Sequence, residues 1–94
     1  MLIDLKRRAL HRTKILQGQL KGLEKMIDSD DYCMEIITQS RAIQRSLGSL
    51  NKLIVENHLK THVKSSLSSD EKSMQSNAIK ELLDIYELTQ VRNN

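Results

Sequence analysis

The feature that most restricts the fold is a long stretch from Asp30 to Lys64 in which small or apolar side chains recur every three or four positions without a proline. This stripe consists of Cys33, Ile36, Ser40, Ile43, Leu47, Leu50, Ile54 and His58. The spacing predicts one amphipathic helix, which at about 35 residues is about 52 Å long. A compact chain of this size has a radius of gyration of only about 12 Å. We therefore expect a second copy to bury the stripe in an antiparallel or parallel helical bundle.

Two further helices are expected on either side of the long one. Apolar residues recur at helical spacing over residues 4–27 and again over residues 74–91. Short polar residues at 28–31 predict a turn, and a serine-rich stretch at 65–70 predicts a loop. The chain has no Pro, Phe or Trp, so its core is built from Leu, Ile and Met. The sequence predicts a single all-α domain over residues 1–94 with three helices per protomer, the long one at 30–64.

Composition narrows the class of protein. The single cysteine excludes an internal disulfide, which favours a reducing, cytoplasmic setting. Uninterrupted apolar runs reach only two or three residues, so we expect neither a membrane span nor a signal peptide.

Positive charge is concentrated in the first helix, although the whole chain has a net charge of only +3. Residues 6–25 contain one anion, Glu24, and seven cations: Lys6, Arg7, Arg8, Arg12, Lys14, Lys21 and Lys25. A solvated helix face is the simpler explanation, but such faces usually mix charges of both signs. The density of cations favours a polyanionic partner, with nucleic acid ahead of a membrane surface.

Cys33, His58 and His62 carry the clearest chemical pattern. An ideal helix places all three within about 20° of one face, and the two histidines have the i,i+4 spacing of metal ligands. Cys33 and His58 are nevertheless about 37 Å apart along the axis, far beyond metal–ligand bonds of about 2.0–2.3 Å. An antiparallel dimer removes this conflict, because it brings the cysteine end of one long helix beside the histidine end of the other.

A thiolate with two imidazoles suits Cu(I), Zn(II) or Ni(II), not oxygen-seeking cations. Tyr32, next to the cysteine, is either a core residue or places its phenol against the ligands of this site. Alternatively, Cys33 is only a small buried hydrophobe and the histidine pair arose by chance. Catalysis is disfavoured, because the sequence contains neither an acid at a recognisable spacing to orient a cysteine–histidine pair nor a glycine-rich phosphate loop.

The run from Arg12 to Leu23, RTKILQGQLKGL, resembles the R-x-x-R-I-x-G-Q-x-x-G-[LI] signature of the copper-sensitive operon repressor family (CsoR/RcnR/FrmR). The similarity continues through Asp31-Tyr32-Cys33 and through Asn57-His58-Leu59-Lys60-Thr61-His62, and covers roughly residues 5–64. The family also contains nickel/cobalt and formaldehyde repressors.

This resemblance implies a bacterial, all-α repressor of double-stranded operator DNA, built as a dimer of antiparallel dimers, that is, a homotetramer. It implies an effector metal held by Cys33 of one protomer and by His58 and His62 of the other, and metal-induced release from DNA. It also implies that helix-one cations and Arg45 contact DNA, and that an acid of the last helix, for which we take Glu81, couples the metal to DNA.

Of three departures from the family pattern, two bear on the effector and one, at Ile15, bears on the DNA contacts. His62 stands where copper sensors most often have a second cysteine, and Ile15 stands where a basic residue is usual. The first three residues also lack the histidine of nickel/cobalt sensors. We take copper(I) as the first choice of effector, with a nickel/cobalt, zinc or formaldehyde sensor as the alternative. A structural helical-bundle adaptor without a sensing role is the alternative from another class.

Overall fold

The computed structural model describes residues 1–90, and all regular elements within that range are helical. Helix α1 spans Ile3–Asp28 and α2 spans Cys33–His58. A π-helical segment, Leu59–Val63, follows without a break and leads directly into the short α3, Lys64–Leu67. Helix α4 spans Lys72–Gln90. Because α2, the π-helical segment and α3 are continuous, the described residues form three uninterrupted helical stretches. The predicted all-α class is confirmed.

The helix ends differ from the sequence prediction by a few residues. The long helix begins at Cys33 instead of residue 30 and stays helical to Leu67, so that two serines of the predicted loop lie in α3. Ser68 is the C-cap of this helix, and its amide and hydroxyl both donate to the Lys64 carbonyl. Helix α4 begins at Lys72, two residues before the predicted start. Its predicted end at residue 91 lies outside the described residues.

The turn between α1 and α2 depends on Asp30. This residue has a positive φ of 54°, in the left-handed region that short polar residues such as aspartate tolerate better than most. The next amide, that of Asp31, donates to the Met26 carbonyl at 2.9 Å. The Tyr32 carbonyl then accepts the Glu35 amide and opens α2. Asp30 therefore reverses the chain instead of starting the helix.

Residues 2–54 form one compact unit, an antiparallel pair made of α1 and most of α2. Leu5 and Ala9, near the start of α1, are buried with Leu53, near the end of α2, and Leu50 packs against them. Farther along the pair, the Gln39 amide donates to the Gln19 carbonyl at 3.2 Å. These contacts fix the register of the two helices.

One side of this antiparallel pair exposes large apolar side chains. Leu47 and Ile54 of α2 are 46% and 42% exposed, and Leu20 and Ile27 of α1 are 52% and 57% exposed. Each pair is seven residues apart and shares a helix face. Leu20 and Ile27 lie about 40° and 20° around α1 from the buried Leu16, and Leu47 and Ile54 lie at the same angles around α2 from the buried Ile43. In two antiparallel helices that face each other, equal rotations of this kind point to the same side of the unit. We call these four residues the apolar flank.

Residues 55–90, which form a second compact unit together with Met1, contain the end of α2, the π-helical segment, α3 and α4. Helix α4 packs against the π-helical segment and α3. Val63 and Ala78 are almost completely buried, and Asn57 is buried at 9% exposure. Ile79 and Leu83 of α4 remain exposed. Among the described helices, none is long and apolar enough to cross a membrane.

Candidate metal centre and DNA-contact surface

His58 and His62 lie side by side at the start of the second unit. His58 is the last residue of α2, and His62 lies in the π-helical segment. Their ring centroids are 5.1 Å apart, and the ring planes are tilted by 37°. His58 is half-buried, whereas His62 is exposed. The predicted histidine pair is therefore assembled within one chain, with both rings available to a shared ligand.

Glu81 joins this pair from α4. Its Oε2 atom lies 2.9 Å from His58 Nε2, within hydrogen-bond distance. An open pocket of about 330 Å³ is lined by His58, His62, Ser66, Asn77, Ala78 and Glu81. Glu81, the acid of the last helix that we took from the resemblance, thus contacts one histidine directly. Sequence reasoning missed Ser66 and Asn77, because neither residue type stands out until α4 packs against the long helix.

The π-helical segment begins directly after His58 and contains His62, and it was not predicted. The Lys64 amide donates to the Leu59 carbonyl, five residues back, instead of to the carbonyl four back as in an α-helix. The Thr61 hydroxyl donates to the Asn57 carbonyl at 2.8 Å. A wider turn of this kind hardly changes the apolar periodicity, so the sequence pattern cannot detect it. Such turns occur frequently at functional sites.

Cys33 and Tyr32 belong to the other unit. Cys33 is a free, exposed thiol at the first position of α2, and Tyr32 is 71% exposed. Within the described residues, one chain has no group of three or more His, Cys, Asp or Glu side chains arranged to hold a metal ion. The chain thus offers two separate kinds of donor that metal ions accept, the histidine pair beside its pocket and an accessible thiol. These donors fit a soft or borderline metal, provided that a second chain supplies the thiol.

The predicted DNA-contact residues are accessible but do not form one surface. Lys6, Arg7, Arg8, Lys14 and Lys21 of α1 and Arg45 of α2 are exposed, and Arg12 is half-buried. Arg7 forms an ion pair with Asp4 at 2.6 Å, and Arg8 lies 4.0 Å from the same carboxylate.

The helical positions of these cations divide them into two groups. Arg8 and Arg12 are four residues apart and flank the face of α1 that packs on α2. Lys14 and Lys21 lie about 140–160° around α1 from the buried Leu16 and point outward. Arg45 lies about 160° around α2 from the buried Ile43 and also points outward.

Comparison with known proteins agrees with this architecture. The copper-sensing transcriptional repressor CsoR of Mycobacterium bovis is 36% identical over 84 residues, which cover 89% of this chain and 68% of that protein. CsoR of Bacillus subtilis is 30% identical over 76 residues, covering 81% and 72%. CsoR of Mycobacterium ulcerans is 43% identical over 60 residues, covering 64% of this chain and 51% of that repressor, so the aligned part spans about half of its length.

A solved structure has the same fold. A variant of the formaldehyde-responsive regulator FrmR from Salmonella enterica serovar Typhimurium superimposes with a TM-score of 0.72 at 25% identity, covering 92% of this chain and 94% of that one. Residues 5–87 match the family described as metal-sensitive transcriptional repressor. This match confirms the resemblance found in the sequence and the prediction of a regulator, not an enzyme. The chain belongs to the family of metal-sensitive transcriptional repressors.

Proposed function

We propose that this chain represses transcription by binding double-stranded operator DNA and that Cu(I), bound between two protomers, releases it. The observation that carries the proposal is the histidine pair, with ring centroids 5.1 Å apart beside Glu81. Two imidazoles at i,i+4 spacing can supply half or more of the ligands that a soft metal ion needs. The relatives named as copper-sensing repressors support copper as the effector.

The third ligand in this proposal is Cys33 of the partner protomer. Cys33 begins α2 and His58 ends it, so one chain offers the thiol and the imidazoles at opposite ends of one helix. In an antiparallel dimer, each cysteine end meets a histidine end, and two equivalent sites result. Bound copper would supply a bridge between protomers that neither chain makes alone. Tyr32, beside the cysteine, is proposed to contact a metal ligand instead of the metal itself.

The apolar flank supplies a physical reason for dimerisation. Four large aliphatic side chains on one side of a small helical pair remain about half exposed. Burying them against the same residues of a second copy is the ordinary solution for an amphipathic helix pair. We propose a homodimer formed through this flank and a homotetramer formed from two such dimers.

DNA binding is assigned first to the arginines, Arg8 and Arg12 on one face of α1 and Arg45 on α2. Guanidinium groups bind phosphate oxygens bidentately, so accessible arginines suit a DNA backbone. Lys6, Arg7, Lys14 and Lys21 extend the positive potential around α1. Neutralising several phosphates makes the affinity fall steeply with salt concentration.

Glu81 offers a route from the metal centre to the rest of the second unit. A carboxylate that accepts a hydrogen bond from a ligating imidazole fixes the ring and raises its basicity. Here that carboxylate belongs to α4, so the His58–Glu81 contact ties α4 to the end of α2. By linkage, an effector that weakens DNA binding must itself bind more weakly to the DNA-bound protein.

A titration of fluorescently labelled operator DNA tests this proposal. Fluorescence anisotropy should report tight binding by the metal-free protein and release on addition of Cu(I). We expect Cys33→Ala and His62→Ala to bind DNA normally but to remain bound when Cu(I) is added. His11→Ala, which alters an exposed histidine of α1, is the matched control and should respond as the wild type does. Copper-induced release that survives Cys33→Ala would contradict the proposal.

A second effector class has support from the same site. Two imidazoles with a single thiolate suit Zn(II), Ni(II) or Co(II) better than a thiolate-rich site would. The FrmR neighbour is named for its response to formaldehyde. The titration is therefore repeated with these metals and with formaldehyde, and the most effective releasing agent identifies the effector. If the protein did not bind operator DNA and responded to none of these metals or to formaldehyde, a structural adaptor would be favoured.

A further inference from the structure

The π-helical segment begins directly after His58 and contains His62, and one side-chain hydrogen bond joins it to the end of α2. The Thr61 hydroxyl donates to the Asn57 carbonyl at 2.8 Å. Asn57 directly precedes His58, and Thr61 directly precedes His62. The hydrogen bond therefore links the residues that precede the two imidazoles.

This contact lies where the backbone hydrogen-bond pattern changes. Helix α2 is α-helical up to His58, its last residue, and the segment Leu59–Val63 is π-helical, with the Lys64 amide bonded five residues back. A change from four-residue to five-residue spacing interrupts the regular ladder of amide–carbonyl pairs. A side-chain hydroxyl at that point supplies a further donor to a carbonyl in a partly buried position.

A second threonine in α2 provides a comparison. The Thr38 hydroxyl donates to the Met34 carbonyl, also at 2.8 Å and also four residues back. Thr38 is exposed and lies inside regular α-helix, where the backbone geometry does not depend on it. The hydroxyl–carbonyl hydrogen bond is thus redundant at Thr38. At Thr61 the same kind of bond spans the change from α-helix to π-helix.

Burial supports a fixed geometry at Thr61. Asn57 is 9% exposed and Val63 is 2% exposed, so the residues on both sides of the histidine pair are anchored in the second unit. Thr61 itself is partly buried. Between these anchors, the turn width determines where the two imidazoles point, and their centroids lie 5.1 Å apart.

We propose that Thr61 is a positioning residue whose hydroxyl holds the π-helical turn and thereby sets the separation of the His58 and His62 imidazoles and the metal affinity of the pair. This inference rests on the proposed function in one respect, because it takes the two histidines as ligands. Thr61 touches neither the metal nor DNA and acts only through the backbone.

The test uses three full-length variants. Thr61→Val removes the hydroxyl and keeps the β-branched shape, Thr61→Ser keeps the hydroxyl, and Thr38→Val removes the equivalent bond from regular helix. Circular dichroism and urea unfolding establish that each variant is folded. The first measurement is metal-free: nuclear Overhauser contacts between the two imidazoles, together with amide hydrogen exchange over residues 59–64.

The second measurement is affinity for Cu(I) and for Co(II), the latter with its visible absorption spectrum. We expect Thr61→Val to lose the contact between the imidazoles, to exchange faster over the segment, and to bind both metals about 10-fold more weakly with an altered Co(II) spectrum. Thr61→Ser should recover the wild-type values to within about 3-fold, as should Thr38→Val.

The inference would be overturned if Thr61→Val kept the wild-type contact between the imidazoles. It would also be overturned if that contact changed while the metal affinity did not. Val63 packing alone would then define the site. Failure of the proposed function is distinguishable. If the wild-type protein binds neither metal, then the histidines are not ligands and the affinity part of the inference fails with them. The metal-free contact still decides whether Thr61 holds the turn.

Discussion

The apolar flank allows a quantitative test of dimerisation. Complete burial of a leucine or isoleucine side chain is worth about 1.5–3 kcal/mol. Leu47 is 46% exposed and Ile54 is 42% exposed, so a second chain has roughly half of each side chain left to cover. Covering the remainder of both contributes about 1.3–2.6 kcal/mol per chain and about 2.6–5.3 kcal/mol per dimer.

The double variant Leu47→Gln/Ile54→Gln should therefore raise the dimer dissociation constant by about 10²- to 10⁴-fold. Sedimentation velocity over a range of protein concentrations measures this constant. Ile3→Gln is the control, because Ile3 is 86% exposed and lies on the outward face of α1. It should leave the constant unchanged. The assignment of the flank as the interface would be refuted if the double variant associated as tightly as the wild type. It would also be refuted if Ile3→Gln weakened dimerisation by as much as the double variant.

Three further predictions concern DNA binding and stability. Arg12→Ala and Arg45→Ala should each weaken operator binding and reduce the slope of log affinity against log salt by about 1, as measured by anisotropy, whereas Lys25→Ala should do neither. Asp30→Val should lower the free energy of unfolding by more than about 1 kcal/mol, because a β-branched residue resists the positive φ, while Asp30→Asn should be nearly neutral in urea titrations. Gly18→Ala should raise the free energy of unfolding in urea titrations by about 0.5–1 kcal/mol, since no atom outside its own turn of the helix lies within 4 Å of the added Cβ in the protomer. A loss instead would mean that another chain covers this position.

Much of the architecture could be predicted because helical periodicity is a strong signal in a chain without proline. The apolar spacing predicted the three helical stretches, and the i,i+4 spacing of His58 and His62 correctly placed their rings together. Glu81, selected only as an acid of the last helix, lies 2.9 Å from His58. Whether these residues bind metal stays a prediction.

Two features lay beyond the sequence argument for physical reasons. The π-helical turn adds a single residue to one turn, and the apolar stripe tolerates that change without a visible break. The charge count over residues 6–25 took no account of direction around the helix. Arg8 and Arg12 consequently fell in the same group as Lys14 and Lys21, although the two groups point to different sides of α1.

The start of the long helix was also placed too early, because Asp30 resembles a helix cap in sequence. In the structure its backbone is left-handed, and the Tyr32 carbonyl accepts the first amides of α2. Short polar residues serve both as caps and as left-handed turn residues, and only the chain reversal between α1 and α2 decides between these roles.

The central claim is that two chains complete each metal centre, and mixed dimers test it most directly. Cys33→Ala and His62→Ala proteins are each titrated with Cu(I) against a competing chelator, then mixed, unfolded and refolded together, and titrated again. Each variant alone should lack the tight site. In the mixture, about half of the dimers contain one of each chain and one intact site, so about a quarter of the wild-type capacity should return. A mixture that binds no more copper than its separate components would contradict the account, because the ligands would then have to come from a single chain.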